Sequence, residues 1–482
     1  MRLHVHDYER VDTAGILDGA VLMHRTMSGL LTARANAVPH DVVRDSAGLG
    51  SLPDEDVVYA GNGPYAHLYH LWREERGGRH RIVREVHTTF WSGYWTQEEL
   101  CAPLHRPGDT VLFPSEYTRQ VYLRCFPEVR PADAVVAYPL LDAMPRLAPV
   151  PPPARDAVLR IGYLGALSTA KNFDQVVNVF ARCHRESGGR TSLVFAGKPN
   201  NPGWETEVIL ARLAGSGVPA DAVTPLGLIG PSQLADFFSR IDVLLFPSTA
   251  SRESLGRVVF EALAHGVPVL AAAMGPAVEL LPAANLVPTR LLTDASFAMD
   301  RIVALGRVDE DELTARLSAR DWEPAELRGT AAFEEPAFWK ALSGNAAGTD
   351  VPRTGALAGA LARGHGAAAW DTATVGRIRV GARRGTDHAT ALADSHRLFV
   401  DYFQRREGPL LDRIAALEDR HGMARPDLRD MVTRPERNLA DYRAFPRLAD
   451  ALVLPPLGYR LAPEGDPAAD TIDSTDTEVT PV

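Results

Sequence analysis

The chain contains 482 residues, carries a formal net charge of −10 and has three cysteines. This length exceeds a single core and predicts two domains with additional segments, because domains usually contain about 100–200 residues. The acidic charge argues against a nucleic-acid-binding protein, and the odd cysteine count without metal-ligand spacing argues against a disulfide framework or a zinc site.

The chain also lacks the signals of membrane insertion. Its first residues contain no long apolar segment, and no run of about 18 apolar residues occurs in the sequence. We therefore expect a cytoplasmic protein without a transmembrane segment.

The first part of the chain alternates short apolar runs with helical periodicity, which is typical of a doubly wound parallel sheet. Crossover helices are predicted over 15–33, over 64–75 and after Ser115. The candidate strands are Leu3 to Val5, Asp56 to Tyr59, Arg81 to Val86, Thr110 to Phe113 and Asp133 to Ala137.

A proline run, Val150 to Ala154, interrupts this alternation and is typical of a stiff linker. A second alternation follows it. Its candidate strands are Leu159 to Leu164, Ser192 to Ala196, Val223 to Leu228, Val243 to Phe246 and Val267 to Ala271. The pattern predicts an α/β protein with two Rossmann-like domains, 1–148 and 149–342, that face each other across a cleft.

The segment Pro247 to Pro268 is the most informative part of the chain. It places a buried strand before a short Pro-Ser loop, then Glu253, a helix that begins near Gly256, and Glu261 within that helix. Backbone N–H groups at a helix start favour phosphate, and carboxylates can accept hydrogen bonds from sugar hydroxyls. The alternative is that both glutamates are ordinary charged residues of an amphipathic helix and bind no ligand.

This segment resembles the donor-binding signature of the retaining GT-B glycosyltransferases of family 4, also called glycosyl transferases group 1, which carry two glutamates separated by seven residues. The resemblance implies that Glu261 binds the ribose of a nucleotide and that Glu253 binds the donor sugar. It places Ser254, Leu255 and Gly256 against the diphosphate. It also implies a metal-independent enzyme without a cofactor, whose substrate is a nucleotide sugar, with UDP or GDP favoured as the nucleotide.

The resemblance extends to Gly162 to Asn172, where the family carries an arginine and a lysine that clamp the diphosphate. Lys171 matches the lysine, but Ala166 stands at the arginine position. Lys198 could supply the missing charge or could be a solvated loop residue. After a later predicted strand, Gly227 and Leu228 are candidates for contact with the nucleotide base.

In the first domain, the resemblance implies that His87, at the end of a predicted strand, lines the cleft and takes part in catalysis with Glu253 and Lys171. The alternative is a polar loop histidine or a core histidine whose hydrogen bonds are satisfied. Strand exits and a degraded glycine loop supply further candidates on the acceptor side, although capping and turn chemistry explain several of them equally well. These candidates are Asn62, Tyr65, Ser115, Glu116, Arg119 and Gly15.

The resemblance implies a hexosyl- or glycosyltransferase that retains the anomeric configuration and acts on an unidentified small-molecule, lipid or polymer acceptor. Ala166 motivates an alternative, a catalytically inactive partner or activator protein, and a sugar-nucleotide epimerase is a third hypothesis. A mainly helical extension is expected over 343–463, and its apolar face at 392–420 could pack on the enzyme or form a homodimer. An acidic, disordered tail is expected over 464–482.

Overall fold

A computed structural model describes residues 2–6, 19–40, 52–61, 66, 69–70, 73, 77–87, 101–102, 104–125, 129–250, 253–291, 304, 306–327, 330–346, 348 and 459–461. Two parallel six-stranded sheets of the Rossmann type confirm the predicted α/β fold. Several predictions lie outside the described residues: those for Asn62, Tyr65 and Gly15, the apolar face at 392–420 and the acidic tail.

The first sheet has the order β2-β1-β3-β4-β5-β6, and all its paired strands are parallel. Its strands are β1 (Leu3–His6), β2 (Val38–His40), β3 (Val57–Gly61), β4 (Arg81–Glu85), β5 (Thr110–Phe113) and β6 (Ala134–Val136). The sequence did not predict β2, because its three residues include a proline and two of them are exposed. Such an edge strand has no apolar run that would reveal it.

Helices α1 (Gly19–Ala35) and α2 (Glu116–Cys125) accompany this sheet. Met27 and Leu31 are both buried, as expected for residues four positions apart on one helix face. We call this sheet and its helices the N-terminal unit.

The second sheet has the order β12-β11-β10-β7-β8-β9 and is also parallel. Its strands are β7 (Leu159–Leu164), β8 (Thr191–Ala196), β9 (Val223–Pro225), β10 (Val243–Phe246), β11 (Val269–Ala272) and β12 (Leu286–Val287). Strand β7 pairs with both β8 and β10, so the strand order reverses there. Open α/β sheets bind ligands at the carboxyl ends of the strands beside such a reversal.

The helices of this second unit, which we call the C-terminal unit, cover the sheet with apolar side chains. They are α3 (Phe173–Glu186), α4 (Thr206–Gly215), α5 (Leu234–Ser239), α6 (Arg257–Ala264), α7 (Ala277–Leu280) and α8 (Glu310–Ala319). Aromatic rings form part of this core: the ring centroid of Phe173 lies 4.6 Å from that of Tyr163 and 5.7 Å from that of Trp204.

A last helix, α9 (Glu335–Leu342), connects the two units. Its Phe338 packs edge-on against Tyr59 of β3, with ring centroids 6.0 Å apart. Arg81 of β4 donates a hydrogen bond of 3.0 Å to the carbonyl of Leu342. The chain therefore returns from the second sheet to the first.

Beyond the two main sheets, β13 (Thr289–Leu291) pairs antiparallel with β14 (Gly306–Val308) and parallel with β15 (Tyr459–Leu461). Strand β15 lies within the segment 343–463 that was expected to be mainly helical. Its apolar, charged, apolar alternation has the period of a strand, which explains this local difference. Among the described residues, no helix is long and apolar enough to cross a bilayer.

Candidate functional site

Lys171 lies in a short turn at the carboxyl end of β7. Residues Thr169–Lys171 form one 3₁₀ turn, and the hydroxyl of Ser168 caps it by accepting a hydrogen bond from the Lys171 amide. The turn ends at Asn172, whose φ of 53° and ψ of 36° are left-handed. Asparagine tolerates this conformation better than most residues.

The side chain of Asn172 fixes this turn to neighbouring loops. Its fully buried amide nitrogen lies 2.9 Å from the carbonyl of Pro247, 2.9 Å from the hydroxyl of Thr249 and 3.0 Å from the carbonyl of Gly306. These groups follow β10 or begin β14. Lys171 is therefore held against the loop that follows β10.

Glu253, in that loop, accepts hydrogen bonds from three kinds of donor. The ammonium of Lys171 lies 2.6 Å from Oε2, the hydroxyl of Ser248 lies 3.0 Å from Oε2, and the amide of Gly256 lies 3.0 Å from Oε1. The side chain of Glu253 is only 15% exposed and that of Lys171 26%. We call Lys171, Ser248 and the Gly256 amide the donor cradle, because all three donate to one anion.

The cradle is electrostatically favourable for a negative charge. Burial alone would raise the pKa of Glu253, but the charge and hydrogen bond of Lys171, together with Ser248 and the Gly256 amide, hold this pKa below its ordinary value. Gly256 has a φ of 69°, which glycine adopts without a steric penalty, and it directly precedes α6. The start of α6 adds its positive dipole end to the cradle.

Glu261 lies on α6 and is also buried. Its Oε1 accepts a hydrogen bond of 2.7 Å from Nε of Arg257, one helical turn earlier. Burial raises the pKa of Glu261, although the charges of Arg257 and His265 oppose the shift. In the described structure, Nη1 of Arg257 is buried and has no hydrogen-bond partner.

The loops after β8 and β9 lie beside the turn that carries Lys171. Gly197 lies so close to the start of the loop after β7 that a Cβ added to it would be 1.7 Å from the carbonyl oxygen of Gly165. Lys198 is exposed and forms no ion pair among the described residues. Gly227 has a φ of 65°, and Leu228 after it is 55% exposed, which is unusual for leucine.

The carboxyl ends of the two sheets meet at the loop that carries Glu253. The hydroxyls of Ser115 and Thr118, which follow β5, donate hydrogen bonds of 2.6 and 2.9 Å to the carbonyl of Ser254. Ser115 also caps α2, because its hydroxyl accepts a hydrogen bond from the Thr118 amide. Two side chains of the N-terminal unit therefore hold the backbone of the donor cradle.

Glu279 forms a second contact between the units. Its carboxylate, on α7, accepts hydrogen bonds from the amides of Glu116 and Tyr117 at the start of α2. Part of Glu279 is exposed to solvent, but burial of its carboxylate between the units raises its pKa to about 7. The hydrogen bonds from the two amides oppose this shift. The first turn of α2 thus faces the C-terminal unit across the cleft.

His87 lies just beyond β4, and the structure buries it. Its side chain is 3% exposed, Nδ1 lies 2.6 Å from the hydroxyl of Tyr138, and Nε2 contacts the carboxylate of Glu85. Glu85 in turn accepts a hydrogen bond from Tyr59. These hydrogen bonds of His87 stay within the N-terminal unit, and among the described residues none joins it to Lys171 or Glu253.

Arg119, which was predicted to edge the acceptor side of the cleft, is buried in the N-terminal unit. Its side chain is 1% exposed, and the guanidinium donates to the carbonyl of Ala134 and to the carboxylate of Glu116. Arg119 therefore connects α2 to β6. The carboxylate of Glu116 pairs with Arg119, and the amide of Glu116 donates a hydrogen bond to Glu279. Glu116 and Arg119 therefore both have structural partners.

The glycosyl transferases group 1 family matches residues 152–308, which include the turn of Lys171, the donor cradle and α6. This part of the chain is therefore similar to the family. It contains Glu253, which pairs with Lys171, and Glu261, which pairs with Arg257.

Curated relatives in this family share part of the chain. A D-inositol 3-phosphate glycosyltransferase from Stackebrandtia nassauensis is 37% identical over 123 residues, which are 25% of this chain and 27% of that protein. A protein of the same name from Streptomyces coelicolor is 40% identical over 90 residues, 19% of each chain. The chain therefore spans about a quarter or less of the length of these relatives.

Two solved structures are similar to this chain in chain path at low identity. Anabaena Alr3699/HepE in complex with UDP has a TM-score of 0.45 and 17% identity, covering 72% of this chain and 97% of that chain. The lipopolysaccharide outer core galactosyltransferase WaaB has a TM-score of 0.48 and 15% identity, covering 71% and 99%.

Sequence reasoning missed Ser248, Asn172, Arg257 and Glu279 as residues of the site. Ser248 lies two residues after the end of β10, so its position at the carboxyl end of a buried strand was a usable signal. Asn172 resembles any loop asparagine until its three acceptors are known. Arg257 pairs with Glu261 at a spacing of four on one helix, which was also a usable signal. Glu279 acquires its role only from the two backbone amides of α2 that the fold brings next to it.

Proposed function

We propose that this protein is a retaining glycosyltransferase that transfers a sugar from a nucleoside diphosphate to an acceptor. The observation that carries the proposal is the donor cradle: a lysine, a hydroxyl and a helix-start amide converge on one anionic group at the carboxyl edge of the C-terminal sheet. The match of residues 152–308 to the glycosyl transferases group 1 family supports a sugar nucleotide as the ligand.

In this proposal the diphosphate lies in the cradle. Cleavage of the bond between sugar and phosphate leaves negative charge on the departing nucleotide, and Lys171 stabilises that charge. The interaction is stronger in the transition state than in the bound donor, so it raises turnover and not only affinity. Gly256 contributes an oriented amide that needs no reorganisation during the reaction.

The two glutamates contact different parts of the donor. Glu261, on the helix that begins at the cradle, accepts hydrogen bonds from the ribose hydroxyls, and Glu253 accepts them from the sugar. Buried carboxylates suit this task because each can accept several hydrogen bonds from neighbouring hydroxyls. Gly227 and the exposed Leu228, on a loop near the turn of Lys171, offer contact to the base.

The N-terminal unit provides the acceptor side. Ser115 and Thr118 reach across to Ser254, so an acceptor that enters between the sheets meets the donor near this junction. His87 contributes from the same edge of the N-terminal sheet once its hydrogen bond to the Tyr138 hydroxyl is broken. D-inositol 3-phosphate belongs in the first set of acceptors to be tested, because the curated relatives carry its name.

The experiment combines nucleotide binding with donor consumption. The purified chain is titrated calorimetrically with UDP, GDP, ADP and TDP, and the sugar nucleotides of the bound base are then followed by proton NMR with and without acceptors. Lys340→Ala is the matched control for loss of one lysine, because Lys340 is exposed on α9.

The proposal predicts selective binding of one nucleotide, loss of that binding in Lys171→Ala, and a product whose anomeric proton has the coupling of the donor sugar. Binding without donor consumption would favour a catalytically inactive partner protein, for which Ala166 supplies a reason. Absence of binding to all four nucleotides would overturn the proposal.

A further inference from the structure

The donor cradle already holds an anion, and that anion belongs to the chain itself. Oε2 of Glu253 accepts from Lys171 and Ser248, and Oε1 accepts from Gly256. An ammonium, a hydroxyl and a helix-start amide are the donors that also bind phosphate oxygens. Glu253 thus occupies the position that the proposed function assigns to the ligand.

Two anions cannot both occupy the cradle. The Ser248 hydroxyl and the Gly256 amide each have a single hydrogen to donate, so each serves either Glu253 or a diphosphate. The Lys171 ammonium has three N–H groups, but like charges drawn to it at such short separation, in a partly buried site, repel each other strongly.

The geometry allows an exchange by rotation of one side chain. The backbone on either side of Glu253 is held, because its amide donates 3.0 Å to the carbonyl of Ala250 and the carbonyl of Ser254 is bound by Ser115 and Thr118. Glutamate has three rotatable side-chain bonds, so its carboxylate can leave the cradle while the loop stays in place.

We infer that Glu253 fills the phosphate position of the cradle in the ligand-free protein and that the donor diphosphate displaces it. Ser248 is then a ligand of the diphosphate, a role that the sequence motifs do not indicate. Once displaced, the carboxylate is free to bind the hydroxyls of the donor sugar. This inference rests on the proposed function.

A measurable consequence is that wild-type protein binds a bare diphosphate more weakly than the cradle alone would. If Glu253 occupies the cradle in about 90% of molecules, the apparent affinity falls about tenfold. An intact sugar nucleotide recovers part of this loss, because its hydroxyls give the displaced carboxylate new donors. The exchange therefore favours binding of the intact sugar nucleotide over binding of the nucleoside diphosphate product.

The test is calorimetric titration of the full chain with inorganic pyrophosphate and with UDP and GDP. Glu253→Gln removes the charge, whereas Glu253→Asp keeps the charge but is too short to reach all three donors. The comparison separates displacement of an occupant from general repulsion. Glu312→Gln is the charge control on the surface of α8, and Ser248→Ala tests the hydroxyl.

We expect both Glu253 variants to bind pyrophosphate about tenfold more tightly than wild type, Glu312→Gln to bind it like wild type, and Ser248→Ala in the Glu253→Asp background to lose much of the gain. Unchanged affinity in both Glu253 variants, or a gain in Glu253→Gln alone, would overturn the inference while nucleotide binding and sugar transfer by wild type still supported the proposed function. If wild type and all variants bind neither pyrophosphate nor nucleotide, both fail together.

Discussion

Asn172 offers a direct test of how the turn of Lys171 is held. Its buried amide nitrogen lies within hydrogen-bond distance of three acceptors, and its backbone has a positive φ. Replacement by alanine removes the donor, and alanine lacks the polar side chain that lets asparagine adopt the left-handed region, which costs about 1 kcal/mol. The lost hydrogen bonds, one of which leaves the Pro247 carbonyl without this donor, cost about 2 kcal/mol more.

We therefore expect Asn172→Ala to lower the free energy of unfolding by about 3 kcal/mol and Asn172→Gly by about 2 kcal/mol, since glycine accepts the positive φ but cannot donate. The assay is urea unfolding followed by tryptophan fluorescence. Trp204 is a local reporter because its ring packs on Phe173, directly after Asn172. Pyrophosphate affinity measures the effect on Lys171 and should fall in both variants.

A free energy of unfolding for Asn172→Ala within about 0.5 kcal/mol of wild type would refute the proposed anchoring, because surface substitutions have effects of that size. Loss of stability with unchanged pyrophosphate affinity would refute the link between the anchor and Lys171. If Asn172→Gly lowered the free energy of unfolding as much as Asn172→Ala, the φ of 53° at this residue would carry no energetic cost in the alanine variant.

Three further predictions concern ribose, the junction of the units and pH. Glu261→Ala should weaken UDP or GDP binding about tenfold but leave pyrophosphate binding unchanged, because only the nucleotides carry a ribose; equal weakening of both would contradict this role. The double variant Ser115→Ala and Thr118→Val should lower kcat/KM about 30-fold with an unchanged circular dichroism spectrum, because it loses two hydrogen bonds of about 1 kcal/mol each. An unchanged kcat/KM would show that the hydrogen bonds of Ser115 and Thr118 to Ser254 are not needed for activity. Burial lowers the pKa of His70 well below its ordinary value and that of His80 to about 4, so both are neutral in the folded protein. Since the unfolded chain takes up these protons below about pH 6.5, stability should be retained above that pH and fall as the pH drops toward 4, by about 3 kcal/mol for His80 alone; urea midpoints measured over this range, with His80→Gln as the comparison, check the slope.

The fold could be predicted to a large extent because each main strand is a short apolar run between loops. Thr110–Phe113, Leu159–Leu164 and Val243–Phe246 have the bounds that the sequence indicates. Strand β2 escaped prediction because an exposed edge strand needs no apolar run. Strand β12 has only two residues, Leu286–Val287, and its existence depends on pairing with β11.

The candidate site was predictable where a motif places chemistry in a short segment. Glu253, Gly256 and Glu261 follow from one stretch of sequence, and Lys171 follows from its resemblance to a family pattern. The orientation of Arg119 did not follow from its place in the sequence. An arginine near a strand exit can point to the cleft or to the sheet, and in the structure its guanidinium donates to the carbonyl of Ala134.

By itself, the sequence determined the two α/β halves, the linker between them and the acidic and basic residues of the donor loops, because hydrophobic periodicity and local turn chemistry act over a few neighbouring residues. Only the tertiary structure decided that Lys171 meets Glu253 across 82 positions of sequence, and that Ser115 meets Ser254 across 139. These contacts depend on parallel strands that place their carboxyl ends at one edge, and on two such edges facing each other. No local pattern encodes a distance between loops that are separate in sequence, so pairing within the site emerges only from packing of the whole chain.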